Sequence, residues 1–233
     1  MYCVGVVLVC LFSQHCIGAQ PSSENATEAS VIGTGVEEKV MVFYDTDDYR
    51  KNFKTTEPKK NHVMWHFLDM FDKVQSHFHG QNVMVTLSVV MVELDHQIWV
   101  HTNGSRDTNA TLQKLQRIYK SYFPRPNETA AYLFTSEPLP DPTESHIATL
   151  GTICHTNRST AIVVLPPGST NYTPVVTATA RIFGASGAVN FTDEDIQQMN
   201  NTFSNCYIKP SRKNRRRRNQ TTQRTTSTAT SII

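Results

Sequence analysis

Extended, valine-rich runs and stretches of helical spacing take turns along this chain, and that alternation admits few folds. Lys39–Asp45 (KVMVFYD) reads as a first strand, and the charged segment Thr46–Lys60 as a loop. From about Asn61 to His79, Val63, Phe67, Met70, Phe71, Val74 and Phe78 recur at intervals of three and four, which puts them on one helix face. Gly80 stops that helix. Asn82–Leu94 (NVMVTLSVVMVEL) is a long central strand, with a short one expected at Gln97–Val100. Helical spacing returns over Thr108–Tyr122, carried by Leu112, Leu115, Ile118, Tyr119 and Tyr122, until Pro124 and Pro126 break it. Ala130–Thr135 and Ser159–Leu165 are strands, Ile147–Cys154 is extended, and Asp193–Phe203 is a short helix. This order predicts an α/β domain with a mixed sheet.

Thr173–Gly187 (TPVVTATARIFGASG) reads as one more helix with both ends marked. Thr173 is a suitable N-cap, Pro174 suits the first helical position, and Gly184 is a natural stop. Val175, Val176, Thr179, Ile182 and Phe183 form a broad apolar stripe. Thr177 and Arg181, four residues apart, share a different face, which leaves that face to look into a cleft.

The chain begins with an apolar, uncharged segment, Met1–Ala19, whose core is Val4–Phe12 and whose end, Ile17-Gly18-Ala19, suits signal-peptidase cleavage. At that length it is a secretory signal rather than a membrane span, and no other stretch is long and apolar enough to cross a bilayer. Glycosylation acceptors at Asn25, Asn103, Asn109, Asn127, Asn157, Asn190, Asn200 and Asn219 support a secreted, extracellular destination. Asn171 also heads a sequon, but Pro174 and a buried helix follow it. Once the signal is removed only Cys154 and Cys206 remain. In an oxidising compartment two cysteines most simply form one disulfide. The boundaries that follow are a signal at 1–19, a polar flexible leader at 20–38, a folded domain at 39–208 and a tail at 209–233.

The net charge of +2 hides an asymmetry. The tail holds Lys209, Arg212, Lys213, Arg215, Arg216, Arg217, Arg218 and Arg224 and no acid, so the preceding body is acidic overall. Arg215–Arg218 has the form of a proprotein-convertase site. With Arg212 and Lys213 it also offers point charges to a sulfated polysaccharide. Nucleic acid is an unsuitable partner, because the basic residues lack interleaved aromatics and the address is secretory.

Few residues carry the pattern of a catalytic site. His62 and His66 stand four apart with Asp69 one turn on, a spacing that lets two imidazoles grip one zinc ion, but no third ligand is specified and no glutamate follows His62. They read as surface histidines, and His77 and His79 as a solvated helix end. Ser159, Ser186 and Ser204 lack a nucleophile-elbow context, and Gly184–Gly187 lacks the lysine and preceding strand of a phosphate loop.

Several segments, taken in order, resemble those of a known family. Val40–Asp45 looks like its first strand, and Ala130–Thr135 (AAYLFT) like its D-x-A-x-L-[LF]-T segment. Ala148-Thr149-Leu150-Gly151-Thr152-Ile153-Cys154 is similar to its A-x-x-G-x-x-C edge strand, and Phe203-Ser204-Asn205-Cys206 to its F-S-x-C, whose cysteine pairs with the earlier one. From Val40 to Tyr207 the chain resembles the reprolysin or adamalysin type of metzincin zinc metalloprotease, most of all the salivary forms secreted by blood-feeding arthropods. The resemblance implies a metzincin-like catalytic-domain fold with a mixed, mostly parallel sheet flanked by helices.

The family's next element is its zinc helix, H-E-x-x-H-x-x-G-x-x-H. With its glycine at Gly184, Thr177, Arg181 and Gly187 fall at the three histidines and Ala178 at the glutamate. A threonine hydroxyl is a weak ligand, a guanidinium presents only donors, glycine presents nothing, and alanine takes no proton from water. Met199, the one candidate for the family's methionine turn, lies closer to Cys206 than the family spacing. The expectation is therefore no zinc cofactor and no peptidase activity, with an extracellular protein or peptide bound at the former cleft. Its edge would be Ala148, Thr149, Leu150, Gly151, Thr152 and Ile153, since backbone pairing needs no metal. Arg181 would then meet an acidic group in the cleft or, more simply, make an internal salt bridge. The alternatives are an active enzyme with unconventional ligands such as His62 and His66, and polyanion binding through the tail.

Overall fold

The computed structural model describes residues 30–51, 62–122, 128–156 and 158–207. Its strands are β1 (Glu37–Tyr44), β2 (Thr86–Leu94), β3 (His101–Thr102), β4 (Ser105–Arg106), β5 (Thr129–Thr135), β6 (His146–Ala148) and β7 (Ser159–Val164). Its helices are α1 (Asp48–Lys51), α2 (His62–His79), α3 (Thr108–Tyr122), α4 (Thr173–Phe183) and α5 (Asp193–Phe203). Five strands pair in the order β2-β1-β5-β7-β6. All these pairings are parallel except β6 on β7, so the sheet is mixed and mostly parallel, flanked by helices as the sequence predicts.

A parallel sheet covered on both sides requires strands that are apolar on both faces. β1 shows this directly. Val40, Val42 and Tyr44 share a cluster with Phe67, Phe71 and Phe78 of α2 and with Val176 and Phe183 of α4. The alternate residues Met41 and Phe43 pack on the other side with Leu112 and Leu115 of α3. The Cys154–Cys206 disulfide forms across a separation of 52 residues and ties the segment after β6 to the end of α5.

Helix ends follow local chemistry, with one change. α5 opens on a capping box in which Thr192 Oγ1 accepts from the Asp195 amide while the Asp195 carboxylate accepts from the Thr192 amide. In α4 the N-cap is Tyr172, not Thr173; the Thr173 amide is instead held by Asn171 Oδ1. At the other end Gly184 is left-handed, with φ of 107°. A Cβ there would lie 2.6 Å from Thr202 Oγ1, so both backbone and space require glycine.

Three further expectations change. The leader is ordered before residue 39: Ile32 bridges Val83, Val36 is buried and the strand begins at Glu37, because two apolar side chains find room against the core. Gln97–Val100 forms no strand. Ile98 and Trp99 are buried from a loop, with the Trp99 indole N–H donating to Asp45 Oδ2 at 2.7 Å and the Arg106 guanidinium over its ring. His77 and His79 are half-buried anchors whose rings reach the carbonyls of Val189 and Val85, each at 2.7 Å. Met199 is buried inside α5, in helix, which agrees with the helix expected over Asp193–Phe203 and with the poor fit of Met199 to a methionine turn.

Candidate functional site

Of the α4 residues singled out in the sequence, Arg181 reaches a cleft. It opens between α4 and the antiparallel edge strand β6, with a volume of about 350 Å³. Residues 143–148 form one wall, and Arg181, Ser186 and Gly187 the other. Thr177 is not in its lining but touches His146 of its wall. Its hydroxyl donates to the backbone carbonyls of Pro174 (3.0 Å) or Thr173 (3.2 Å) and sits 3.3 Å from His146 Nδ1. Back-bonding of this kind is ordinary for a helical threonine and leaves the oxygen turned toward its own helix.

Gly187 and Arg181 fit each other. Gly187 has φ of 97°, and a Cβ on it would come within 3.0 Å of Arg181 Cγ. The arginine stem therefore lies across the glycine. Its Nη1 donates to the Ser186 carbonyl at 3.3 Å. Thr177, Arg181 and Gly187, the three positions aligned with histidines, thus come together. Ala178 does not: it is fully buried in the main core.

The internal salt bridge expected for Arg181 is not formed: among the described residues no carboxylate pairs with it. The ion pairs of this molecule lie elsewhere, such as Arg106 with Glu137 at 2.7 Å. The titratable neighbours of Arg181 among the described residues lining the cleft are the exposed Glu144 on the opposite wall and the half-buried His146. Burial, and then the Arg181 charge, hold the His146 imidazole below its ordinary pKa. It is neutral at physiological pH.

The edge itself is shorter than the sequence suggests. Only Ala148 of the expected span Ala148–Ile153 lies in a strand. The Thr149 amide donates to the Thr160 carbonyl, and Leu150 then swings into solvent. Gly151 is left-handed, and the amides of Gly151 and Thr152 donate to the carbonyls of Arg181 (2.9 Å) and Ile182 (3.0 Å). The physical reason is at the helix end. The last turn of α4 has carbonyls with no helical partner, and the 151–153 segment satisfies them. This strap couples cleft wall to helix but withdraws those amides from pairing with a ligand. Three edge residues remain. Ser145 accepts from Val164 and Thr149 donates to Thr160, so both bond toward β7. The intervening residues His146 and Ala148 accordingly turn their backbone groups outward, since these alternate along a strand.

His146 is the site residue that the sequence reading missed. The available signal was strand alternation: residues 146 and 148 of one edge strand share a side, and Ala148 was already placed beside the cleft. The pair His62 and His66 is not brought together with a third ligand. His66 packs edge-on to Phe67, and Asp69 pairs with Lys73 at 2.7 Å. Among the described residues no group of three or more histidine, cysteine, aspartate or glutamate side chains is placed to hold a metal ion. Asn103, Asn109, Asn171, Asn190 and Asn200 are exposed. The signal, Asn25, Asn127, Asn157, Asn219 and the basic residues Arg212–Arg218 lie outside the described residues, and no described helix is long and apolar enough to cross a membrane.

No family profile matches the chain, and no curated protein matches its sequence. Among solved structures the fold is similar to metalloproteinase-II from Bacteroides fragilis, at 11% identity and a TM-score of 0.46, over 73% of this chain and 54% of that one. It is also similar to a chain in a chaperone–substrate complex, at 7% identity and a TM-score of 0.44, over 65% of this chain and 24% of that one. The chain thus spans about half the length of the first and a quarter of the second. Likenesses this distant carry neither activity nor substrate across.

Proposed function

We propose that this chain is a secreted, glycosylated, metalloprotease-like protein of the reprolysin type, akin to the salivary forms, that performs no zinc-dependent peptide cleavage. Its activity is to bind an extended protein or peptide segment in the cleft between β6 and α4. One observation carries the reading: of the three positions aligned with zinc ligands, Arg181 and Gly187 line that cleft and Thr177 touches His146 of its wall, all with side chains that do not fit a zinc ion. The Thr177 hydroxyl is turned to its own helix backbone, Arg181 brings a permanent positive charge, and Gly187 brings no side chain. His146 is the one imidazole lining the cleft, and Ala178 is buried where no general base can act. What the cleft keeps is an open strand edge with outward backbone groups at His146 and Ala148, and pairing to such an edge needs no metal.

The test is elemental analysis of the protein purified from a secreting eukaryotic host, together with a peptidase assay run with and without chelator. The expected outcome is less than stoichiometric zinc and no chelator-sensitive cleavage. One zinc per chain with cleavage that a chelator abolishes would falsify the proposal.

A further inference from the structure

We infer that this cleft selects an acidic side chain: a peptide paired with the outer edge of β6 places an aspartate or glutamate carboxylate against the Arg181 guanidinium. The inference rests on the reading above, that the cleft takes an extended peptide.

A guanidinium offers five N–H donors in a fixed plane, and here the protein engages it at one carbonyl, Ser186. No carboxylate among the described residues pairs with it, although it is only half-exposed. Its stem is held across Gly187, where a Cβ would approach to 3.0 Å, so the charged end is positioned before any ligand arrives. Holding a donor in place beforehand lowers the entropy lost on binding. A planar fork of this kind matches a carboxylate in bidentate geometry.

The rest of the wall agrees with this. His146 and Ala148 turn their backbone groups out of the sheet, which sets a bound strand alongside β6. Side chains of these same two residues lie toward α4: His146 reaches Thr177, and Ala148 joins the core that α4 covers. Alternate side chains of the ligand on that face would point at α4 and at Arg181. His146 lines the same wall and sets no negative charge against an acidic ligand. Among the described residues lining the cleft, Glu144 is the one opposing group. It is exposed on the far wall, forms no ion pair with Arg181, and is screened by solvent.

The experiment uses the full-length secreted protein, immobilised. Its probes are three pools of end-capped hexapeptides, randomised except for a fixed third residue of glutamate, glutamine or lysine. The expected result is about tenfold greater retention of the glutamate pool than the glutamine pool, the size of one desolvated charge-assisted contact. Arg181→Gln should erase that preference, so that its glutamate and glutamine pools are retained alike. Arg181→Lys should keep part of it, since the charge remains and the planar fork does not. N-methylation of alternate peptide nitrogens should lower retention of every pool, because it deletes the strand pairing. Equal retention of the glutamate and glutamine pools overturns the acidic preference and leaves peptide binding standing. Retention of no pool overturns both. A preference that survives in Arg181→Gln overturns the assignment to this arginine.

Discussion

Replacing Glu38 with glutamine should make this protein more stable at neutral and alkaline pH while changing little in acid. Glu38 belongs to β1 yet is fully buried, and neither carboxylate oxygen has a hydrogen-bond partner. It lies on the strand face that carries Val40 and Val42, near Tyr132, whose hydroxyl is 3.0 Å from Thr179 Oγ1. Burial pushes the Glu38 carboxyl from 4.5 to about 8. Folded protein therefore keeps a proton that unfolded protein loses above 4.5. Unfolding releases that proton between 4.5 and about 8, so stability falls as pH rises through this window. The slope approaches about 1.4 kcal/mol per pH unit, and from pH 5 to pH 8 the loss is on the order of 3 kcal/mol. Glutamine has the shape of the protonated acid and no proton to lose.

The assay is urea unfolding at constant ionic strength between pH 5 and pH 8, followed by tryptophan fluorescence with the disulfide intact. Trp99 is buried and reports the transition, whereas Trp65 is exposed. The quantity to compare is variant minus wild type, because other groups titrate in the same range. His66 and His146 are held below the ordinary histidine value chiefly by burial, so their contributions are present above about 6.5 and lost as pH falls. Those slopes oppose that of Glu38 and cancel in the difference. Parallel stability profiles for Glu38→Gln and wild type would refute the reasoning, since they would mean that the carboxyl titrates alike in both states.

Two perturbations test the frame that holds the cleft. Cys154→Ser should cost roughly 2–4 kcal/mol in urea unfolding, as expected for opening a crosslink across ~50 residues, and a loss below 1 kcal/mol would contradict it. Gly184→Ala should cost about 2 kcal/mol or more, because the new methyl meets Thr202 Oγ1 and the backbone stays left-handed. Adding Thr202→Ala should return only the steric part, so full recovery in a thermal melt would show that the φ of 107° carries no cost.

Much of the secondary structure was legible because it is written in local spacing. The apolar intervals of Val63 to Phe78 place α2 at His62–His79, and Pro124 falls just beyond the α3 that ends at Tyr122. Asp193–Phe203 is helical because Thr192 and Asp195 cap each other. Strand limits were less legible where other elements claim backbone groups. Ile147–Cys154 reads as extended, but the carbonyls of Arg181 and Ile182 at the end of α4 draw the amides of Gly151 and Thr152 away from the sheet edge. Ile32 and Val36 sit in a polar-looking leader and are buried only because Val83 and the core lie beside them.

By itself the sequence determined the α/β class, the limits of α2 and α5, and the placing of Thr177 and Arg181 on one face of α4. Each follows from residue identity or from short-range periodicity, which no partner segment has to supply. Tertiary structure alone decided that His146 stands 3.3 Å from Thr177, that Arg181 has no acidic partner among the described residues, and that Glu38 is sealed in the core. Those facts depend on chain segments brought together by the sheet: His146 and Thr177 are 31 residues apart. Charge pairing and burial are properties of what surrounds a side chain, and the surroundings exist only once β6 has paired with β7 and α4 has packed against them.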